Sequence, residues 1–281
     1  MINILYCGND KVFDGFLTCT LSILKRTSTN QAFTFYIFTA DLSHINPKFT
    51  ALSVEQADFL DTVVKEYNVE NRVVRIDTYD IYMREFSGCP NEMTSYSPYA
   101  MFRLFADIVD GMPDKLLYLD ADILFNRDIS LLYDIDIDEY EYASARDHYG
   151  KYLVHPNYIN SGVLLLNLKK IKETELFEKA RNILKIKKLL FPDQSAIRLN
   201  TTKKKMLPQK FNDQKFLHKS TVVRHFSKRL FWLPYPHVDN IKQWNVSRVH
   251  KVFHYYCFDD ILYEYIYLKR KFGKDTLTND K

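Results

Sequence analysis

The feature that most limits the fold of this chain is a regular alternation of strand-like and helix-like segments that runs as far as Asp122. Ile2 to Cys7 is a short apolar run ending in Gly8-Asn9-Asp10, a strand passing into a loop. Phe13 to Lys25 follows, with Phe13, Phe16, Leu17, Leu21 and Leu24 on one helical face. Thr34 to Thr39 and Arg72 to Asp77 read as strands, separated by an amphipathic helix over Val54 to Tyr67. Tyr99 to Val109 reads as a further helix, and Lys115 to Leu119 as a fourth strand that stays apolar until Asp120. Strands separated by helices return in the same direction, so this order predicts a mostly parallel sheet with helices on both faces. Open sheets of that kind bind ligands beyond the carboxyl ends of their strands. Both Gly8-Asn9-Asp10 and Asp120-Ala121-Asp122 fall at such ends.

After Asp122 the pattern is mixed. Tyr142 to Arg146, Gly162 to Leu168 and Thr221 to Phe226 read as strands, and Lys169 to Ile186 as one helix. Val246 to Phe272 reads as helical throughout. There is no internal repeat, linker or low-complexity stretch. The expected organisation is one α/β domain over 1–245 with a helical tail over 246–281, and 281 residues suffice for a well-buried core.

The most informative stretch is Leu116-Leu117-Tyr118-Leu119-Asp120-Ala121-Asp122. On a strand, positions two apart project to one side, so both carboxylates are expected to converge. Two like charges that close repel unless a cation neutralises them, and oxygen ligands suit Mn²⁺ or Mg²⁺. Asp134-Ile135-Asp136-Ile137-Asp138 offers the same spacing twice, but it follows no buried strand and reads as a solvated loop. Lys203-Lys204-Lys205 likewise reads as a solvated face.

Leu-Tyr-Leu-Asp-Ala-Asp-Ile-Leu resembles the metal-binding D-x-D signature of the family 8 retaining glycosyltransferases, the lipopolysaccharide galactosyltransferase and glycogenin group. Tyr99-Ala100-Met101-Phe102-Arg103-Leu104 resembles that family's donor-contacting helix. Asn160-Ser161-Gly162-Val163-Leu164-Leu165-Leu166-Asn167 resembles the strand beside its sugar pocket, and Asp193-Gln194 the pair that faces the reacting sugar. The likeness runs in order from Asn3 to about Trp244. It implies a GT-A fold and metal-dependent transfer of glucose or galactose from a UDP-sugar to a glycan or glycolipid, as in cell-surface polysaccharide or lipopolysaccharide synthesis. The metal ligands it implies are Asp120, Asp122 and His225. It assigns Cys7, Gly8, Asn9, Lys11, Arg103, Ala121 and Asn160 to the donor, together with Lys228 or Lys242. Asp147, Asp193 and Gln194 face the sugar. An amide is a poor nucleophile, so displacement through Gln194 and front-face transfer guided by the leaving phosphate both stay open.

The sequence departs from the family in two places. Asn9 stands where an aspartate often meets uracil. The usual H-x-x-G-x-x-K-P-W ending is split into His225-Phe226-Ser227-Lys228 and a distant Lys242-Gln243-Trp244, as though a segment were inserted. His254 competes with His225 as ligand, but lies out of order after Trp244. Two other readings remain: a haloacid-dehalogenase-type phosphohydrolase, whose later acidic loop is missing, and a sugar-nucleotide-binding scaffold without turnover. The net charge of +4, from 39 basic and 35 acidic residues, is too mild to indicate nucleic acid. Cys7, Cys19, Cys89 and Cys257 form no C-x-x-C pair and read as reduced thiols. With no signal peptide and no long apolar run, the expected location is the cytoplasm. The tyrosine- and lysine-rich C-terminal helix is a candidate for peripheral contact with the inner face of a membrane, or for packing on the domain.

Overall fold

The computed structural model describes residues 1–92, 97–233 and 235–279, with side chains as far as 273. The first half contains β1 (Ile2–Cys7), α1 (Phe13–Arg26), β2 (Phe33–Thr39), α2 (Val54–Tyr67), β3 (Arg72–Asp77), α3 (Tyr79–Glu85), β4 (Lys115–Leu119) and β5 (Ile123–Phe125). Next come α4 (Ser130–Tyr133), β6 (Tyr142–Ala145), α5 (Gly150–Leu153), β7 (Val163–Asn167), α6 (Leu168–Thr174), α7 (Leu176–Ile186), α8 (Pro192–Asn200) and β8 (Lys204–Leu207). The chain continues through β9 (Val223–His225), β10 (Arg229–Phe231), β11 (His237–Asp239), α9 (Val246–Arg248) and α10 (Asp259–Asn279).

Seven strands form one sheet in the order β3-β2-β1-β4-β7-β6-β8. β3, β2, β1 and β4 are parallel, as the alternation requires, and β7 joins β4 antiparallel. Two-residue periodicity sorts the side chains into two cores. Ile4, Tyr6, Leu117, Leu119, Val163 and Leu165 pack on one face with α1, α2 and α10. Leu5, Leu116, Tyr118, Leu164 and Leu166 pack on the other with α6 and α7. A sheet covered on both sides explains why its central strands are apolar without interruption. Lys204 and Lys205 lie on the edge strand β8, where charged side chains discourage pairing with another sheet.

Several elements differ from the sequence reading. The helix expected over Tyr99–Val109 is a tight 3-10 helix, Pro98–Phe105. Its three-residue turn stacks Tyr99, Phe102 and Phe105, with ring centroids 5.0 and 5.2 Å apart along the row. The helix expected over Lys169–Ile186 is split at Glu175, which takes a left-handed φ of 57° without any glycine or proline to announce it. The C-terminal stretch is also broken: a π-helical turn, Val249–Phe253, ends at His254 with φ 55°, and only then does α10 begin. α10 is docked rather than loose, since Ile261, Leu262, Tyr265 and Leu268 belong to the core that contains α1. Arg26–Asp260 at 2.7 Å and the Lys25–Glu264 and Lys269–Asp14 pairs fix its register on α1. Its exposed large apolar groups include Tyr263 and Tyr267. Among the described residues no helix is long and apolar enough to cross a membrane.

Candidate active site

The site forms where β4 ends and the chain must turn. Asp120 and Asp122 lie in the turn between β4 and β5, not on one strand face, so their convergence is the work of the turn. The Asp120 N–H donates to Gly162 O at 2.8 Å, and Asp122 O accepts from Phe226 N at 2.7 Å. β5 then pairs antiparallel with β9, with Ile123 opposite His225. The outcome is that ligand atoms of Asp120, Asp122 and His225 all lie within 4.8 Å of one another. His225 Nε2 is 3.1 Å from Asp122 Oδ1 and 3.9 Å from Asp120 Oδ2.

The two carboxylates are stabilised from opposite sides. Asp120 Oδ1 accepts from the Tyr118 hydroxyl at 2.6 Å and from Arg103 Nη2 at 3.1 Å. Asp122 receives the Lys242 ammonium, which also donates to Phe226 O at 3.3 Å. Burial by itself would push the Asp122 carboxyl up, but Lys242 and His225 outweigh it and hold it far below the ordinary carboxylate range. Arg103 is 2% exposed. It stacks on the Tyr118 ring at 4.0 Å, donates to the Ala100 and Ser161 carbonyls and lies 3.4 Å from Asp193. Burial opposes its charge, yet Asp193, Tyr118 and Asp120 keep the guanidinium more firmly protonated than usual. Arg103 thus ties the aspartate turn to α8 from below. A direct contact with a ligand would require it to exchange one of these partners.

Two glycines and two amides complete the metal-side geometry; Gly162 and Gln243 lie within the motifs quoted above, whereas Gly15 and Asn212 carry no pattern signal. A Cβ on Gly162 would sit 2.5 Å from His225 Cε1 and 2.6 Å from Asp120 Oδ2, so only glycine lets β7 approach the cluster. A Cβ on Gly15 of α1 would meet Ala121 O at 2.4 Å. Gln243 Nε2 donates to Ala121 O at 2.7 Å and locks the turn from behind. Asn212, fully buried, faces His225 Nδ1 with its Oδ1 at 3.0 Å. An Nδ1–H donated to Asn212 leaves Nε2 as the nitrogen that faces the carboxylates, and in the neutral ring that is the atom a metal ligand needs. Two carboxylates, an imidazole oriented by Asn212 and a cradle that a single methyl would fill together suit a divalent metal ion.

A second set of polar groups adjoins the cluster. Asn160 Oδ1 accepts from Gly162 N at 3.0 Å and Asn212 Nδ2 at 2.8 Å, while its Nδ2 donates to Asp147 Oδ2 at 2.8 Å. Asp147 also accepts from the N–H groups of Tyr149 and Gly150, which fixes the start of α5. Ser161 N donates to Gln194 Oε1 at 2.9 Å, and Ser161 Oγ donates to Asp193 Oδ2 at 2.8 Å. Thus Asp147, Asn160, Asp193 and Gln194 do meet, joined through Asn160 and Ser161 to the Asp120 turn. Of the first loop, Asn9 is buried with Nδ2 on Lys48 O at 3.2 Å, and Gly8 leaves room for Val12 and Phe16. Cys7 feels Arg103, Asp120 and Asp193, and burial pushes its thiol well up. Lys11 is exposed. Lys242 rather than the exposed Lys228 lies on Asp122. Asp134, Asp136 and Asp138 are all exposed, away from the cluster.

The sequence profile described as Glycosyl transferase family 8 matches residues 3–222. The chain belongs to glycosyltransferase family 8. The matched span contains both aspartates, Asn160 to Gly162 and Asp193-Gln194, but stops short of His225 and Lys242. Membership sets aside the phosphohydrolase reading. A lipopolysaccharide 1,2-glucosyltransferase of Escherichia coli K12 is 32% identical over 60% of this chain and 54% of its own length. Glucoside xylosyltransferase 2 of Mus musculus is 29% identical over 61% of this chain and 38% of its own. The chain spans about half the length of the bacterial glucosyltransferases it matches. Among solved structures, the galactosyltransferase LgtC with donor and acceptor sugar analogues has a TM-score of 0.59 at 17% identity, covering 97% of this chain and 96% of that one. The glycosyltransferase GlyE of Streptococcus pneumoniae TIGR4 has a TM-score of 0.62 at 18% identity, covering 98% of this chain and 63% of that one. These likenesses establish the GT-A fold for this family 8 chain.

Proposed function

We propose that this chain is a hexosyltransferase that moves glucose or galactose from a UDP-sugar to a glycan or glycolipid, with retention of configuration and with Mn²⁺ or Mg²⁺. The observation that carries the reading is the meeting of Asp120, Asp122 and His225 at the carboxyl edge of the sheet, with the Lys242 ammonium on Asp122. Asp120, Asp122 and His225 would hold the ion, whose role is to stabilise the negative charge released as the sugar–diphosphate bond breaks. Lys242 adds a cation beside it, and Asn9 offers an amide to the base. Asp147 and Asn160 supply paired acceptor and donor groups for sugar hydroxyls.

The Gln194 amide oxygen and one of the two Asp193 carboxylate oxygens are engaged. Gln194 Oε1 accepts from Ser161 N, and Asp193 Oδ2 accepts from Ser161 Oγ and lies beside Arg103. This favours front-face transfer. The acceptor oxygen bonds to the anomeric carbon on the face that the phosphate leaves, and its proton passes to the departing phosphate oxygen. The reading is tested by UDP release from UDP-glucose and UDP-galactose with and without Mn²⁺. Release in the presence of the ion and loss on chelation are expected; full turnover after exhaustive chelation would refute the metal-dependent mechanism.

A further inference from the structure

We propose that a cationic pocket beside the transfer site binds an anionic substituent, a phosphate or a carboxylate, on the saccharide that accepts the sugar. The proposal rests on the transferase reading and names the acceptor's chemical class. The pocket has a volume of about 390 Å³ and is lined by His148, Lys151, Lys210, Lys215, Phe216 and His218, among others. That volume suits a small ligand. Among the described residues none of the three lysines is in an ion pair. The acid in the lining, Asp213, is 4% exposed. Its oxygens accept from Phe216 N and Thr221 Oγ1, each at 3.1 Å, so it is directed inward rather than at the lysines. His218 Nε2 lies 3.8 Å from it. The positive field is felt by His148, whose pKa is lowered first by burial and then by Lys215 and Lys151.

The pocket's position gives it a role in the reaction. Asp213 O accepts from the His225 N–H at 3.0 Å, and the preceding Asn212 holds the His225 ring. On the other side His148 follows Asp147, which holds Asn160. The first strand of the β10–β11 hairpin, the segment that divides this chain's ending from the family pattern, contacts Phe216 of the lining and the neighbouring Tyr149. Leu230 N donates to the Tyr149 hydroxyl at 3.2 Å, and the Arg229 guanidinium lies 5.4 Å from the Phe216 ring centroid. The hairpin leaves the metal side at Phe226 and returns to it at Lys242, so its base borders both sites. Donor phosphates face the ion and Lys242; the lysines of this pocket are left for a second anion. Half-exposed Phe216 adds a flat apolar surface for the carbon face of a sugar ring.

The test is calorimetric titration of the protein saturated with UDP and Mn²⁺, so that the donor site is filled. The probes are glucose 6-phosphate, glucuronate, glucose, inorganic phosphate and vesicles of phosphatidylglycerol. At least one anionic sugar should bind tenfold or more tightly than both glucose and phosphate. The Lys151→Gln/Lys215→Gln variant should lose that tenfold, and Lys151→Arg/Lys215→Arg should keep it. Thermal unfolding checks each variant, and Lys215→Gln alone carries the comparison if the double variant does not fold. Four results each overturn the pocket: no preference for an anionic sugar over glucose, phosphate binding as tight as sugar phosphate (an adventitious ion only), vesicle binding without soluble-sugar binding, or an unaltered glutamine variant. UDP release by the wild type is measured alongside. Its absence sinks the transferase reading, whereas lost anion selectivity with UDP release intact sinks the pocket alone.

Discussion

Replacing Gly162 with alanine adds one methyl group at the point where β7 passes under the candidate ligands. The new carbon would sit 2.5 Å from His225 Cε1, 2.6 Å from Asp120 Oδ2 and 3.1 Å from Asn160 Oδ1. Non-bonded carbon atoms rest at about 3.5–4.0 Å, so ring and carboxylate must each give by about 1 Å. Neither moves freely: Asn212 holds His225 at 3.0 Å, and Tyr118 and Arg103 hold Asp120 at 2.6 and 3.1 Å. Overpacking of this kind costs roughly 1–3 kcal/mol. Taken up by the ligand set, that is a loss of about 5- to 150-fold in ion affinity, since 1.4 kcal/mol is tenfold. At a site with free space the same substitution stabilises a protein by about 0.4–1 kcal/mol through the unfolded chain, so the sign is diagnostic. The assay is Mn²⁺ titration in the presence of UDP, following free Mn²⁺ by paramagnetic resonance, with thermal unfolding as the check on folding. A folded Gly162→Ala protein with wild-type Mn²⁺ affinity would refute the assignment of these three residues to one ion.

Asn212→Ala should weaken Mn²⁺ binding by about 10- to 100-fold, because the His225 tautomer loses its anchor; unchanged affinity in the same titration would make Asn212 merely structural. Asp122→Asn should abolish UDP release, while Asp136→Asn, at an exposed loop position, should leave it near wild type; equal losses in two folded variants would mean the wrong acidic cluster was chosen. Arg181 is buried against Asp107 at 2.6 Å and Glu85 at 3.7 Å. Arg181→Met strands the buried Asp107 carboxylate, whereas Glu85 keeps Lys185 at 2.7 Å, and should cost about 3–5 kcal/mol in denaturant unfolding; a loss below 1 kcal/mol would show that water reaches Asp107.

The parallel half of the sheet, its covering helices and the Asp120/Asp122 pair were legible in the sequence because their signals are local. Two-residue alternation separates Leu117 and Leu119 from Leu116 and Tyr118, and that alternation is what the two cores read out. The family motifs placed Asn160, Asp193 and Gln194 together without any structure. Local pattern fails where the backbone departs from it. Tyr99–Val109 reads as a helix, but spacing of three is shared by α- and 3-10 helices, so the tighter winding of Pro98–Phe105 leaves no separate mark in the sequence. Glu175 takes a left-handed conformation without the glycine that would have marked it.

The convergence of Asp120, Asp122 and His225 depends on tertiary structure. His225 reaches Asp122 only because β9 pairs with β5, and Lys242 reaches the same carboxylate across 120 residues of chain after the β10–β11 hairpin. Asn212 carries no motif of its own, and its role appears only in the fold, where its buried amide joins His225 to Asn160. Periodicity records what a residue does within its own strand or helix. It holds no record of which distant loops a turn brings face to face, and that is why the motifs named the carboxylates and His225, left Lys228 and Lys242 open, and carried no sign of Asn212.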